Sequence, residues 1–347
     1  MVKYSIKRIV LALITAFIIL SLTFFLVKSL GIKDNTFGGK PQVRLAFYLQ
    51  QENLGYVIHF DHAVSGFGKL LCRIDIGGES YFFYERPIIE QYGSWLHNII
   101  TKWDWGTSTV IEPQVTAMQI IMERLPTSMV INIISVVIAV PLGIGLGILA
   151  GLKKNTWIDH TISTLVMIFV SIPSFVVIAL MMYWFCYQNH WLPSKWPTPD
   201  ATSDYKALAF IIPVIASSFG SVCGYTRTVR AELCEVMSSE YLLLARTKGL
   251  TKTQAITRHA LRNAFVPILP GILAEFIGVF SGSIILEKLY GIPGIGGLYV
   301  EAIEKADYSV LMVDMAIFTV VGLLANILFD LSYGFIDPRI RMGEKNS

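Results

Sequence analysis

Four stretches of this chain run without a single charged side chain: residues 9–27, 127–152, 161–187 and 207–226. An apolar helix of roughly 20 residues spans the ~30 Å hydrocarbon core of a bilayer. Each stretch meets that length. Residues 264–286 add a fifth candidate with one charge, Glu275, and residues 310–336 a sixth with two, Asp314 and Asp330. Soluble domains carry about 25% charged residues; this chain carries 15%, and 54% of it is hydrophobic. The expected fold class is therefore an all-α multi-pass membrane protein with six transmembrane helices. The first apolar run exceeds the h-region of a signal peptide, and no small-residue cleavage site follows promptly, so it reads as an uncleaved first helix.

The basic residues of short loops set the orientation. With the N-terminus inside, the inner side collects Lys3, Lys7, Arg8, Lys153, Lys154, the basic residues between Arg227 and Arg262, and Arg339, Arg341 and Lys345. The short outer loops hold only Lys195, Lys206, Lys288 and Lys305. Both termini are then expected in the cytoplasm. The domains follow: residues 1–30 as tail and first helix, 31–125 as an extracellular segment, 126–341 as the helical core, and 342–347 as a cytoplasmic tail.

The external segment is not low in complexity. Two β-rich runs, 69–76 and 81–86, flank Gly77-Gly78 and predict a hairpin. After Pro87, Ile88, Ile89, Tyr92, Trp95, Leu96, Ile99, Ile100 and Trp103 recur at helical spacing. A small α+β cap is expected. His59-Phe60-Asp61-His62 has metal-ligand chemistry but no second half, and reads as a solvated polar turn. Cys72, Cys186, Cys223 and Cys234 form no CxxC pair and indicate no disulfide framework.

Within the core, Gly143, Gly147 and Gly151 share one helix face and predict a close-packing seam. Ser171-Ile172-Pro173-Ser174 should kink its span. A carboxylate in mid-span costs about 2.5–3.5 kcal/mol on insertion scales. Glu275 should therefore face a translocation path or a partner helix, and the sequence leaves both open. Asp314 and Asp330 read as structural, making helix-end or interhelical hydrogen bonds.

One segment is out of keeping with lipid. Residues 233–263 lie between the fourth and fifth spans and are strongly basic. Ser238-Ser239-Glu240 starts a helix, Tyr241, Leu244, Ala245 and Leu250 give an apolar face, and Gly249 stops it. Residues 254–261 can form a second short helix. Arg246, Lys248, Lys252, Arg258, His259 and Arg262 make a basic side. Such a loop suits either a groove on another protein or anionic headgroups.

Glu240-Tyr241…Ala245…Gly249 followed by Arg258-His259…Leu261-Arg262-Asn263…Pro267…Pro270 resembles the "EAA" loop of ATP-binding-cassette (ABC) importer permeases. Tyr241 stands where many members have Ala, as is usual in the peptide branch. Trp103-Asp104-Trp105-Gly106-Thr107-Ser108 resembles that branch's Asp-x-Gly-x-Ser motif. Arg124-Leu125-Pro126-Thr127, Ile172-Pro173-Ser174-Phe175, Glu287…Tyr290-Gly291-Ile292-Pro293-Gly294-Ile295-Gly296, Asp307-Tyr308-Ser309 and Asp330…Tyr333…Asp337-Pro338-Arg339 also fit. The likeness runs from Lys7-Arg8 to Arg341 and is to the first of two permeases of an oligopeptide/dipeptide importer. The external segment is longer than is usual in that family.

The resemblance implies a type I ABC importer fold, with Glu240, Tyr241, Leu244, Ala245, Arg246, Gly249, Leu250 and Arg258 coupling to an ATPase subunit. It implies a second homologous permease, two ATPase subunits that bind ATP and Mg, an external peptide-binding protein and a bacterial plasma membrane. The chain has no GxxxxGK[ST] phosphate loop; Gly39-Lys40 is followed by Pro41. No cofactor and no enzymatic site of its own are expected, and no basic–aromatic patch suggests nucleic acid. The rival readings are the same machine with a nickel chelate, haem or glycan as cargo, an ion-driven secondary transporter, and a membrane anchor or sensor.

Overall fold

A computed structural model describes residues 2–31, 40–198 and 200–336. Asp337-Pro338-Arg339 lies outside the described residues. The chain divides into two units, one of residues 13–124 and 298–319, the other chiefly of residues 125–297.

The first unit includes most of α1 (Val2–Ser29), then α2 (Pro41–Asn53), β1 (Val57–Phe60), β2 (Leu70–Ile76), β3 (Glu79–Glu85) and α3 (Ile88–Lys102). The strands make an antiparallel sheet in the order β1-β3-β2. Ile76 pairs with Glu79, so Gly77 and Gly78 alone form the turn, both with positive φ. A two-residue turn of that kind matches the twist of the paired strands and requires residues that tolerate left-handed backbone. Phe47 and Tyr48 of α2 pack on Val57, Ile74 and Phe83 of the sheet. The apolar stripe of α3 buries Trp95, whose ring lies 5.0 Å from that of Phe24 on α1. The α+β character expected of this segment is present.

The second unit is helical. It contains most of α4 (Ala117–Leu152), α5 (Trp157–Val170), α6 (Ser174–Met181) with a π turn over Met182–Gln188, α7 (Ser203–Ala209), α8 (Ile211–Met237) and α9 (Glu240–Thr247). Then come α10 (Lys252–Ala255), a π turn over Ile256–Ala260, α11 (Leu261–Ala264), α12 (Leu269–Gly278) and α13 (Ile284–Tyr290). α14 (Ile295–Glu304) and α15 (Tyr308–Ile336) complete the chain.

Among the described residues, four helices are long and apolar enough to cross a membrane: Ile6–Ser29, Ala117–Leu152, Ser203–Met237 and Tyr308–Leu331. Two bent pairs have the same character. Trp157–Val170 and Ser174–Gln188 meet at 96°, and Lys252–Ala264 and Leu269–Gly278 at 52°. The first bend falls where Pro173 lacks an N–H and its ring excludes a continuous helix. Leu13, Leu22 and Leu26 of α1 stand exposed, as do Val137, Leu142 and Leu149 of α4. Large apolar side chains exposed along each of these helices are costly in water and suited to acyl chains. At the inner end of the sequence-predicted orientation, Arg8 and Asp330 form an ion pair of 2.9 Å, which gives Asp330 the structural contact expected of it.

Candidate functional site

Small residues hold α4 and α8 together. A Cβ on Gly143 would fall 2.7 Å from Cβ of Tyr225, one on Gly147 2.6 Å from Cβ of Val229, and one on Gly151 3.0 Å from Cδ2 of Leu233. Only glycine permits this approach. The seam continues one turn at a time to Ala139 and Ser135, both buried. Ser135 donates to the Val214 carbonyl at 3.2 Å, and Thr226 to the Gly143 carbonyl at 3.2 Å. The extension through Ser135 was legible in the same four-residue spacing, since serine also allows close approach.

Beside this seam lies an open cavity of about 510 Å³. Its wall is unusually rich in hydroxyls for a helical core: Ser135, Ser174, Ser217, Ser221, Ser281 and Ser283 all line it. Glu275 of α12 is on that wall and is half-buried. Ser221 of α8 donates a hydrogen bond to its carboxylate, and the Tyr225 phenol pairs with it as well. Asn132 of α4 braces the far side by donating to the Val279 and Ser281 carbonyls at 3.1 and 2.6 Å. Glu275 thus has the helix-to-helix contact that one of the two readings requires. It contacts a neighbouring helix and faces the cavity. The arrangement offers one carboxylate and several neutral hydroxyls, which can hydrogen-bond a polar molecule.

Two buried carboxylates organise the loops, and sequence reasoning assigned neither a role. Glu287 of α13 accepts from Ser128 Oγ at 2.7 Å and from the N–H groups of Ser283 and Gly297 at 3.2 and 2.8 Å. Ser128 Oγ in turn accepts from Ile295 N at 3.0 Å. The Gly-Ile-Pro-Gly-Ile-Gly run is wrapped around this carboxylate. In the other unit, Asp307 Oδ2 accepts from Ser108 Oγ at 2.5 Å and from the backbone N–H of Thr109, Val110 and Ile111 at 3.0–3.1 Å. Gly106 lies so near that a Cβ on it would come 2.9 Å from Ser309 Oγ. The Trp-Asp-Trp-Gly-Thr-Ser and Asp-Tyr-Ser motifs are one structure. His59, by contrast, pairs with Glu52 at 2.7 Å.

The basic loop folds as two short helices. Ser239 caps α9 without a side-chain bond to it, its hydroxyl turning back to the Val236 carbonyl. Gly249, at φ +95°, reverses the chain after α9. Thr251 and Gln254 then form a reciprocal capping box, so the second helix begins at Lys252 rather than at residue 254. A π turn at Ile256–Ala260 carries it into α11. The inward face differs from expectation. Leu242, Ala255, Ile256, Ala260 and Ala264 bury against Leu233, and Leu250 packs on that cluster rather than on the outer face. Tyr241, Leu243 and Leu244 are left exposed beside exposed Glu240, Arg246, Gly249 and Arg258, with Ala245 half-buried. Leu243 is part of this outer face although its spacing hid it.

The comparisons with known proteins give the class, a transport permease. Residues 143–342 match the family of binding-protein-dependent transport system inner membrane components, and the chain belongs to that family. It is similar to the dipeptide transport system permease protein DppB of Lactococcus lactis subsp. cremoris, 30% identical over 99% of this chain and all of that protein. The oligopeptide transport system permease protein OppB of Escherichia coli K12 is also 30% identical, over 98% of this chain and all of that protein. Among solved structures, the MetNI methionine ABC transporter in an inward-facing conformation aligns with a TM-score of 0.50 and 15% identity, covering 63% of this chain and 97% of that one. A second, an amino acid ABC transporter, aligns with a TM-score of 0.50 and 18% identity over 62% of this chain and 94% of that one. At such identities these two speak to the fold alone, that of an ABC importer permease.

Proposed function

We propose that this chain is the membrane permease of an ATP-driven importer of dipeptides or oligopeptides. The observation that carries the reading is full-length similarity to peptide permeases in a chain that also presents Tyr241, Leu243 and Leu244 on a basic loop. Each bent pair counts as one span, giving six, with both termini in the cytoplasm and the α+β segment outside. The loop from Glu240 to Arg262 sits in a groove of an ATPase subunit, with Leu244 and Tyr241 as apolar anchors and Arg246 and Arg258 at the rim. An exposed leucine pair ringed by arginines fits a protein groove better than headgroups, because its apolar tip would otherwise stay wet.

In this mechanism a binding protein delivers the peptide outside. ATP and Mg are held by two ATPase subunits, and a second homologous permease completes the pathway. Closure of the ATPases pushes on α9–α11. The buried face of that loop packs on Leu233, so the push passes to α8 and along the glycine seam to α4. The serine-lined cavity with Glu275 is the section of the path built by this chain. The chain itself contributes no catalytic residue. The test is purification of the intact assembly followed by mass spectrometry of its cargo. Two ATPase subunits and bound peptides support the reading; a nickel chelate, haem or glycan instead would move the cargo assignment.

A further inference from the structure

A second, much smaller cavity lies in the unit of residues 13–124 and 298–319, remote in sequence from Glu275. It is a partly open recess of about 30 Å³. A water-sized occupant needs roughly 10–15 Å³, so the space takes at most two or three such particles and excludes a large cofactor. Lys28 of α1, only 6% exposed, is on its wall. Its ammonium lies 3.2 Å from the centroid of the Tyr56 ring, which also lines the cavity. Trp95, Trp105 and Tyr308 are on the same wall. Trp95 Nε1, Trp105 Nε1 and the Tyr308 hydroxyl are buried and have no hydrogen-bond partner.

The chemistry of these groups is one-sided. An indole N–H only donates, an ammonium only donates, and a phenol donates readily. A buried polar atom without a partner is costly, and so is a buried charge without a counter-charge. The ring face of Tyr56 attracts the ammonium but supplies no acceptor for the indoles. No ion pair to Lys28 is formed among the described residues. Asp307, next to Tyr308, is not on the wall; its Oδ2 accepts four donors, and its Oδ1, buried without a partner, accepts from none of these groups. Glu85 attracts Lys28 from a distance without forming an ion pair with it, and a water molecule would accept from two of the donors but bring no negative charge into contact with the ammonium.

We propose that this aromatic box binds a single monatomic anion, chloride under ordinary conditions, between Lys28 and the indoles of Trp95 and Trp105. The anion ties the outer end of α1 to α3 and to the start of α15, and so makes the seating of the α+β segment dependent on halide. Its role is structural and does not rest on the cargo assignment.

The test uses the full-length purified chain and compares thermal unfolding in sodium chloride, sodium bromide and sodium gluconate at equal ionic strength. Chloride and bromide are expected to raise the midpoint saturably and gluconate not to. A structure determined in bromide should show its anomalous signal in the cavity. Trp105→Phe removes one donor while keeping the ring, and should raise the half-saturating halide concentration roughly fivefold, the size expected for one lost hydrogen bond. Lys28→Met should abolish the halide response; because that variant risks misfolding, Trp105→Phe carries the decision. Equal midpoints in chloride and gluconate, or water alone in the cavity of the bromide structure, would overturn the proposal.

Discussion

Consider replacing Gly147 by alanine. The new Cβ would sit 2.6 Å from Cβ of Val229 and 2.9 Å from the Thr226 carbonyl oxygen, where ordinary contact is 3.4 Å or more. Neither neighbour can yield easily: Val229 is β-branched and fully buried, and the carbonyl belongs to the α8 backbone. The helices must part by nearly 1 Å. Overpacking of this kind costs about 1–3 kcal/mol, and a rigid partner puts it near the upper end. Against this, alanine is a better helix former than glycine by about 1 kcal/mol. The net expectation is a loss of about 2 kcal/mol. Gly145, two residues away on the same helix, supplies the control, since nothing lies within 4 Å of its added Cβ. Gly145→Ala should keep the helix gain and be neutral or stabilising by up to about 1 kcal/mol. Thermal unfolding in detergent, read from tryptophan fluorescence, ranks the two. A Gly147→Ala chain at least as stable as Gly145→Ala would refute the seam argument.

Three further outcomes are expected. Glu275→Gln should leave insertion and assembly intact while altering uptake or cargo preference; transport unchanged in both respects would exclude Glu275 from the path. Asp307→Ala strips the acceptor from four donors around residues 108–111 and should cost about 3 kcal/mol, read as a lowered unfolding midpoint and new proteolysis near Ser108. Gly249→Pro cannot hold φ at +95°; it should leave ATP hydrolysis by the assembly running while uptake falls, and normal uptake would contradict a coupling role for the loop.

The membrane helices were legible because charge-free length is a one-dimensional property, and Gly77-Gly78 was legible because a two-residue turn leaves few alternatives. The loop was legible as a pair of short helices but not in which face stays exposed. Tyr241, Leu244 and Leu250 share helical spacing, yet only the packing on Leu233 decides that Leu242 and Leu250 go inward and Leu243 outward. The start of α10 was missed because Thr251 and Gln254 were not read as a capping box. Glu287 and Asp307 stand in sequence motifs that give no hint of what they bond. Each has a side-chain partner distant in sequence, Ser128 for Glu287 and Ser108 for Asp307, the latter pair separated by 199 positions. No window of residues contains that pairing.

The central claim is that ATPase motion reaches the helices through the exposed tip of α9. It is tested most directly in proteoliposomes holding the complete assembly, with binding protein and labelled peptide outside and ATP within. The account predicts accumulation of peptide above its external concentration, abolished by Leu244→Glu although the chain still inserts. Accumulation that needs no ATP, or that survives Leu244→Glu unchanged, would contradict it.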